Sequence, residues 1–179
     1  MNDIAFYSDA MGSGKSTAAS YLIETHGYEL VKFAGPLKDM TRALFKSLGY
    51  DDVTVERMVE GDYKEVNDML IDGLTPRKVM QTLGTEWGQH CLSQDFWVRI
   101  AGARIDNSGP VVVDDLRFPH EWEFLKGRGF TIVKLERSGA AVVGGGHSSE
   151  QGLVGFEPDC VVKNNGNFED LHNQLEKLL

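Results

Sequence analysis

An α/β fold, a parallel five-stranded sheet with helices on both faces, is what this sequence predicts, and three observations predict it. A short apolar run (DIAFYS, 3–8) feeds a glycine-rich turn and then a helical pattern, all near the start of the chain. Strand-like and helix-like segments keep alternating to the end, as in successive βαβ units. One run, VVV at 111–113, is apolar without interruption, as a strand covered on both faces must be.

The elements follow in order. Residues 3–8 form the first strand, the turn AMGSGKST follows, and a helix runs from Ala18 to Thr25. YELVKF (28–33) is the second strand. Pro36 marks a helix's first turn, after which Leu37, Met40, Leu44 and Leu48 recur at helical spacing up to Gly49. Residues 50–75 are acidic and weakly patterned, which predicts short helices joined by loops. Thr75 and Pro76 read as N-cap and first position of a stronger helix, with Val79, Met80, Leu83 and Trp87 on its apolar face. Another helix starts at Asp95, with Phe96, Trp97, Ile100 and Ala101 inward. Val111 to Asp115 is the third strand, 121–126 a helix ended by Gly127 and Gly129, and 130–135 the fourth strand. Residues 139–152, with three successive glycines, lack periodicity and read as a mobile loop. A short strand at 159–163 and a helix capped by Asn167, striped with Phe168, Leu171, Leu175 and Leu178, complete the chain.

Composition narrows the function. The 179 residues suit one domain, and 41% hydrophobic with 25% charged residues is the profile of a soluble globular protein. No apolar run is long enough to span a bilayer, and the N-terminus carries no secretory pattern, which together predict a cytoplasmic protein without membrane partners. Cys91 and Cys160 have no metal-site spacing. A net charge of −9 disfavours a nucleic-acid partner, because such a surface repels a phosphate backbone. Basic residues that converge despite that balance would grip a small anion.

GSGKST, from Gly12 to Thr17, is the sharpest signal. A strand entering a glycine turn and then a helix aims several N–H groups of Gly12, Ser13, Gly14, Lys15, Ser16 and Thr17 at one point. The helix N-terminus adds partial positive charge there. Lys15 would reach the terminal phosphates of a nucleotide and the Ser16 hydroxyl would ligate Mg2+. The full pattern places glycine at position 9, where this chain has Asp9. VVVDD (111–115) has the form of the strand that delivers a carboxylate to such a magnesium; Asp114 and Asp115 are the candidates, with Asp115 preferred.

Four further segments resemble one family. FAGPLK (Phe33 to Lys38) resembles the FAxPLK that follows the second strand of the deoxynucleoside monophosphate kinases of tailed bacteriophages, relatives of phosphomevalonate and adenylate kinase-like P-loop enzymes. The stretch from Leu74 to Gln89 is similar to their RxxxQxxGTEWGR, with Gln89 in place of the final arginine. DLRFPHE (Asp115 to Glu121) resembles DVRFPNE, with His120 for asparagine, and HSSE (His147 to Glu150) resembles the HxSE of the lid. The resemblance implies transfer of the γ-phosphoryl group of ATP to a deoxynucleoside 5′-monophosphate, with ATP and Mg2+ as cofactors and the two nucleotides as small-molecule partners. A second copy of the chain is the one macromolecular partner it leaves open.

It also implies roles. Lys15, Asp115 and Arg137 would be catalytic, Arg137 lying at the hinge of a lid spanning about 137–152. Asn165 would cover the adenine. A helical region of about 36–106, within one kinase domain, would bind the acceptor. The acceptor phosphate requires a cationic clamp, for which Lys38, Arg42, Arg77, Arg99 and Arg117 are the candidates. Phe33, Gln81 and Trp87 would frame the base, and Glu121, His147 and Glu150 complete the substrate residues. Two other readings share the P-loop: a phosphomevalonate or dephospho-coenzyme A kinase, and a non-catalytic nucleotide-binding switch.

Overall fold

A computed structural model describes residues 2–10, 12–139, 153 and 155–179. The chain divides into two compact units, one comprising Met1–Lys32 with Ala101–Leu179 and the other Phe33–Ile100.

The first unit holds the sheet. Its strands are β1 (Ile4–Tyr7), β2 (Glu29–Leu30), β3 (Val111–Val113), β4 (Thr131–Glu136) and β5 (Cys160–Lys163). All pairings are parallel, in the order β2-β3-β1-β4-β5. Ile4 pairs with both Val112 and Thr131, so β1 lies at the centre and is buried along its whole length. Helix α1 (Lys15–His26) and a C-terminal helix (Phe168–Leu175) cover one face. There Ala18, Ala19, Leu22, Leu171 and Leu175 pack on Ile4, Phe6, Val112, Val133, Leu135 and Val162. Side chains of alternate strand residues point oppositely, so Tyr7 faces the other side and meets Trp122, centroids 5.4 Å apart, from a helix at Pro119–Gly127. The chain leaves β1 and β3 toward opposite sides of the sheet, and the loops after these two neighbouring strands open at the same edge. Ligands of open α/β sheets bind at such a place.

The second unit is helical: α2 (Gly35–Ser47), α3 (Asp52–Val59), α4 (Pro76–Gln81) and a π-helix at Thr82–Leu92; helix α5 (Phe96–Ile105) begins in this unit and ends in the first. The Pro119–Gly127 and Phe168–Leu175 helices are α6 and α7. Phe45, Val55, Met58, Val59 and Met80 form the second unit's core. Thr75 caps α4 by accepting the Lys78 N–H at 3.1 Å, and Asn167 caps α7 by accepting that of Asp170 at 2.9 Å.

Several expectations change. The second strand has two residues instead of six, since β2 lies at the sheet edge and the chain turns into α2 soon after. Helix α1 starts at Lys15, three residues early. In α2 the buried residues are Pro36, Thr41 and Phe45, while Met40 and Leu44 are exposed, so the face that packs is not the one the leucine spacing marks. Phe168, expected in the last helix's stripe, is 71% exposed. Beyond Gln81 the helix widens into π geometry. Its i→i+5 bonds carry Trp87 off the Met80 stripe, and that indole is 37% exposed.

Candidate active site

The glycine loop is held by a residue far along the chain. Gly14 takes a left-handed backbone (φ 99°) immediately before α1 and accepts the Ala18 N–H at 2.9 Å. A Cβ there would collide with the side-chain amide of Asn164. That amide donates to the Ser13 carbonyl at 3.0 Å, while the Asn164 backbone N–H donates to the Glu136 carbonyl at 2.8 Å, anchoring the loop to β4. The neighbouring Asn165, expected to cover the adenine, is exposed and accepts the Ser138 N–H at 2.7 Å, tying down the segment after β4. The signal for Asn164 was its place just past a strand at the loop-bearing edge. Asp9 turns to β4, where the Lys134 ammonium lies 2.7 Å from its carboxylate. Its charge is answered there, which explains how an acidic residue stands where the pattern has glycine.

Asp114, the first residue past β3, is the carboxylate that meets the loop. It is 5% exposed, and its Oδ2 accepts the Ser16 hydroxyl at 3.1 Å and the Lys32 ammonium at 3.2 Å. Lys32 lies 3.1 Å from Oδ1 as well, but that buried oxygen accepts no hydrogen bond. Asp115 was the preferred carboxylate, but successive residues past a strand point oppositely, and the structure brings Asp114, not Asp115, to Ser16. Asp115, half-buried, is close enough to act on Glu121.

Glu121, expected among the substrate residues, is only 4% exposed and accepts the backbone N–H groups of Arg117 (2.8 Å) and Phe118 (3.0 Å) through Oε2, capping α6 from within. Burial, then the Asp115 charge, pushes its pKa up to about 8.

Lys15 donates to the Ser13 hydroxyl at 3.3 Å. Burial and the nearby positive charge of Arg117 pull its pKa down, against the opposing pull of Asp114. Arg117 is exposed and makes no salt bridge among the described residues, and Arg137 donates to the Gly12 carbonyl at 3.4 Å. The first unit thus gathers Lys15, Lys32, Arg117 and Arg137 at one sheet edge. Cations in excess of their carboxylate partners, beside a helix N-terminus, make a site for a polyanion. Gly12 and Ser16 are exposed there, Ser13 is buried and Thr17 half-buried.

In the second unit most of the expected clamp is engaged. Arg42 is bidentate to Glu56 (2.7 and 3.1 Å) and also bonds Glu60 and Asp39 at 3.1 Å, so it is a structural tie, not a free clamp. Lys38 pairs with Glu60 at 2.7 Å, and Arg77 pairs with Glu65. Lys64, which sequence reasoning missed inside its weakly patterned stretch, is half-buried. Burial and the charges of Lys38 and Arg77 pull its pKa down. Lys38, Lys64 and Arg77 therefore converge within this unit. Arg99 is exposed and Gln81 half-buried. Phe33 is buried, so its ring offers no open stacking face, whereas Trp87 stands edge-on to Phe96 at 5.6 Å with its indole partly open. His147 and Glu150 lie outside the described residues.

Comparison with known proteins bears on this arrangement. The family profile of the deoxynucleotide monophosphate kinases matches residues 43–175. A protein of Acanthamoeba polyphaga mimivirus, assigned by name to these kinases, is 32% identical over 92% of this chain and 89% of its own. The deoxynucleotide monophosphate kinase of Enterobacteria phage T4 is 23% identical over 98% of both chains, and that of Escherichia phage RB69 is 31% identical over 65% of this chain and 49% of its own. The crystal structure of TT1252 from Thermus thermophilus superposes with a TM-score of 0.52 at 16% identity, covering 99% of this chain and 97% of that one, a likeness of fold. By profile and by sequence identity across nearly its whole length, the chain belongs to the deoxynucleotide monophosphate kinase family.

Proposed function

We propose that this protein transfers the γ-phosphoryl group of ATP to the 5′-phosphate of deoxynucleoside monophosphates. The observation that carries the reading is the joining of Lys15, Ser16 and buried Asp114 at the mouth of the glycine loop, in a chain of this family. Phosphoryl transfer asks for positioned oxygens and neutralised charge more than for covalent chemistry, and those residues provide both. Lys15 grips the donor's terminal phosphates, the loop's N–H groups cradle them, and Arg117 and Arg137 answer charge at the same edge.

The residues also fit Mg2+. Asp114 keeps a buried oxygen with no hydrogen bond, the Ser16 hydroxyl lies beside it, and all the donors are the hard oxygens this ion prefers. Among the described residues no three His, Cys, Asp or Glu side chains converge, so phosphates and water would supply the remaining ligands. When bound, the ion neutralises charge on the phosphate oxygens.

The acceptor belongs to the unit from Phe33 to Ile100, its monophosphate answered by Lys38, Lys64 and Arg77 and its base by Trp87 and Gln81. The lid expected at about 137–152 falls, from residue 140 on, outside the described residues, and the setting is the cytoplasm. Two anion subsites in one chain speak against a switch, which needs only one. A coupled assay of ADP release over the natural deoxynucleoside monophosphates, with phosphomevalonate and dephospho-coenzyme A alongside, tests the reading. Turnover is expected with the deoxynucleotides, and Lys15→Ala should lose ~10²-fold or more in kcat while staying folded, the scale of one electrostatic donor. Turnover confined to the other acceptors, or a folded Lys15→Ala protein at full activity, overturns it.

A further inference from the structure

Lys32 lies outside the glycine loop and the aspartate pair, yet it is the cation nearest to Asp114. Its Nζ is 3.1 Å from Oδ1 and 3.2 Å from Oδ2. The backbone fixes it there: the N–H of Val31, one residue before, donates to the Val112 carbonyl at 3.0 Å, extending the β2–β3 pairing and bringing the lysine level with the end of β3. The lysine side chain is 31% exposed and that of Asp114 only 3%.

Two facts about this carboxylate conflict. A buried carboxylate needs a compensating charge, and removing one partner of such a pair is strongly unfavourable. A divalent ion drawing on Asp114 and Ser16, however, would face an ammonium about 3 Å from the same oxygens, with Lys15 and Arg117 close by. Like charges so near each other in a partly desolvated site repel strongly. Asp114 requires one cation and has room for one.

We propose that Lys32 is a placeholder cation: it neutralises Asp114 until the donor nucleotide arrives with its divalent ion, then yields the carboxylate and turns its ammonium to the phosphate oxygens. A lysine suits this exchange. It is a compact point charge on a flexible four-carbon stem, where an arginine fork would grip the carboxylate through two bonds at once. The exchange also couples metal to nucleotide. A free ion must displace the ammonium to water at the cost of its ion pair with Asp114, whereas an ion carried by phosphates brings the anions that receive it, so each ligand tightens the other. The identity of the arriving ligand rests on the kinase reading. The competition itself rests on Asp114, Ser16 and Lys32 alone.

The test is Mn2+ binding without nucleotide, read by electron paramagnetic resonance. Lys32→Met should bind Mn2+ at least ~10-fold more tightly than wild type, Lys32→Arg should show no gain, and adding Asp114→Asn to Lys32→Met should abolish the gain. In the absence of metal Lys32→Met should melt at a lower temperature than wild type, and Mn2+ should restore it. Wild-type affinity in a folded Lys32→Met protein, or a gain that survives Asp114→Asn, overturns the proposal. If Lys32→Met does not fold, the wild-type protein answers. Its Lys32 15Nζ resonance, titrated with Mg2+ alone, should move in step with the Asp114 carboxylate signal; a carboxylate that shifts while the ammonium does not overturns it. Neither titration uses turnover, so failure of the kinase reading in the ADP assay leaves them independent.

Discussion

Asp114 and Asp115 are neighbours in the chain, but the pleat at the end of β3 sends one toward Ser16 and leaves the other close to Glu121. Their asparagine variants should therefore differ. Asp114→Asn should raise the Mg2+ concentration for half-maximal activity by ~10-fold or more, about 1.4 kcal/mol, and Asp115→Asn should raise it less; a magnesium titration of both measures the ranking. Glu121 predicts a pH effect. Its pKa is about 8 in the folded protein and near the ordinary carboxylate value when unfolded, so between those values the folded state holds a proton that the unfolded state has lost. That stabilising contribution is complete below the unfolded pKa and is lost as pH rises through about 8. Melting temperature should fall across that window in wild type and fall less in Glu121→Gln, whose amide oxygen can still accept the two N–H bonds. Parallel melting profiles for the two proteins would reject the assignment.

At the scale of elements, the π-helix from Thr82 to Leu92 is where local pattern and packing part company. Its two motif glycines have different tasks. The Gly84 carbonyl accepts the Trp97 indole N–H at 2.8 Å, and Gly88 leaves room for that ring. A Cβ on Gly88 would lie 2.7 and 2.8 Å from Trp97 Cε2 and Cζ2. The indole is buried and bonded, so it has no easy way to move aside. Gly88→Ala should cost about 1–3 kcal/mol, as overpacking of a filled core does, read as a lower denaturation midpoint with altered tryptophan fluorescence. Unchanged stability would mean that the ring swings freely. The helix signals themselves were legible: Thr75 with Pro76, and Asn167, mark starts because capping is chemistry between residues a few positions apart. Which face of α2 packs was not legible, because Leu37, Met40 and Leu44 are as apolar as Phe45, and only the surrounding helices choose between them.

The whole molecule carries a charge of −9 while the sheet edge around the glycine loop collects lysine and arginine. On the proposed function the negative surface and the positive site have different tasks: one repels long polyanions and the other would hold a small one. A ligand held only by the folded state stabilises it by mass action. At a concentration 100 times its Kd, ATP with Mg2+ should add about 2.7 kcal/mol to wild type. Lys15→Ala should gain markedly less at the same concentration, and a thermal-shift titration of the two proteins is the measurement. Equal gains would place the nucleotide away from the loop.

The α/β class, the five parallel strands, the phosphate loop and the family were readable from the chain, because each rests on interactions within a few residues: a strand–turn–helix, an apolar run, a cap, a short motif. Five expected site residues changed meaning once neighbours distant in sequence came into view. Asp114 and not Asp115 met Ser16, Glu121 capped α6 from within, Arg42 was tied to three carboxylates, Phe33 was buried, and Asn165, expected over the adenine, held Ser138 while Asn164 held the glycine loop. Lys32 and Lys64 carried no pattern at all. A lone lysine in a sequence is indistinguishable from a solvated one; its meaning comes from the carboxylate or the second cation that folding sets beside it. Short-range order is written in neighbouring residues, whereas the charge and burial that make a site are sums over the folded surroundings, and only the tertiary structure performs that sum.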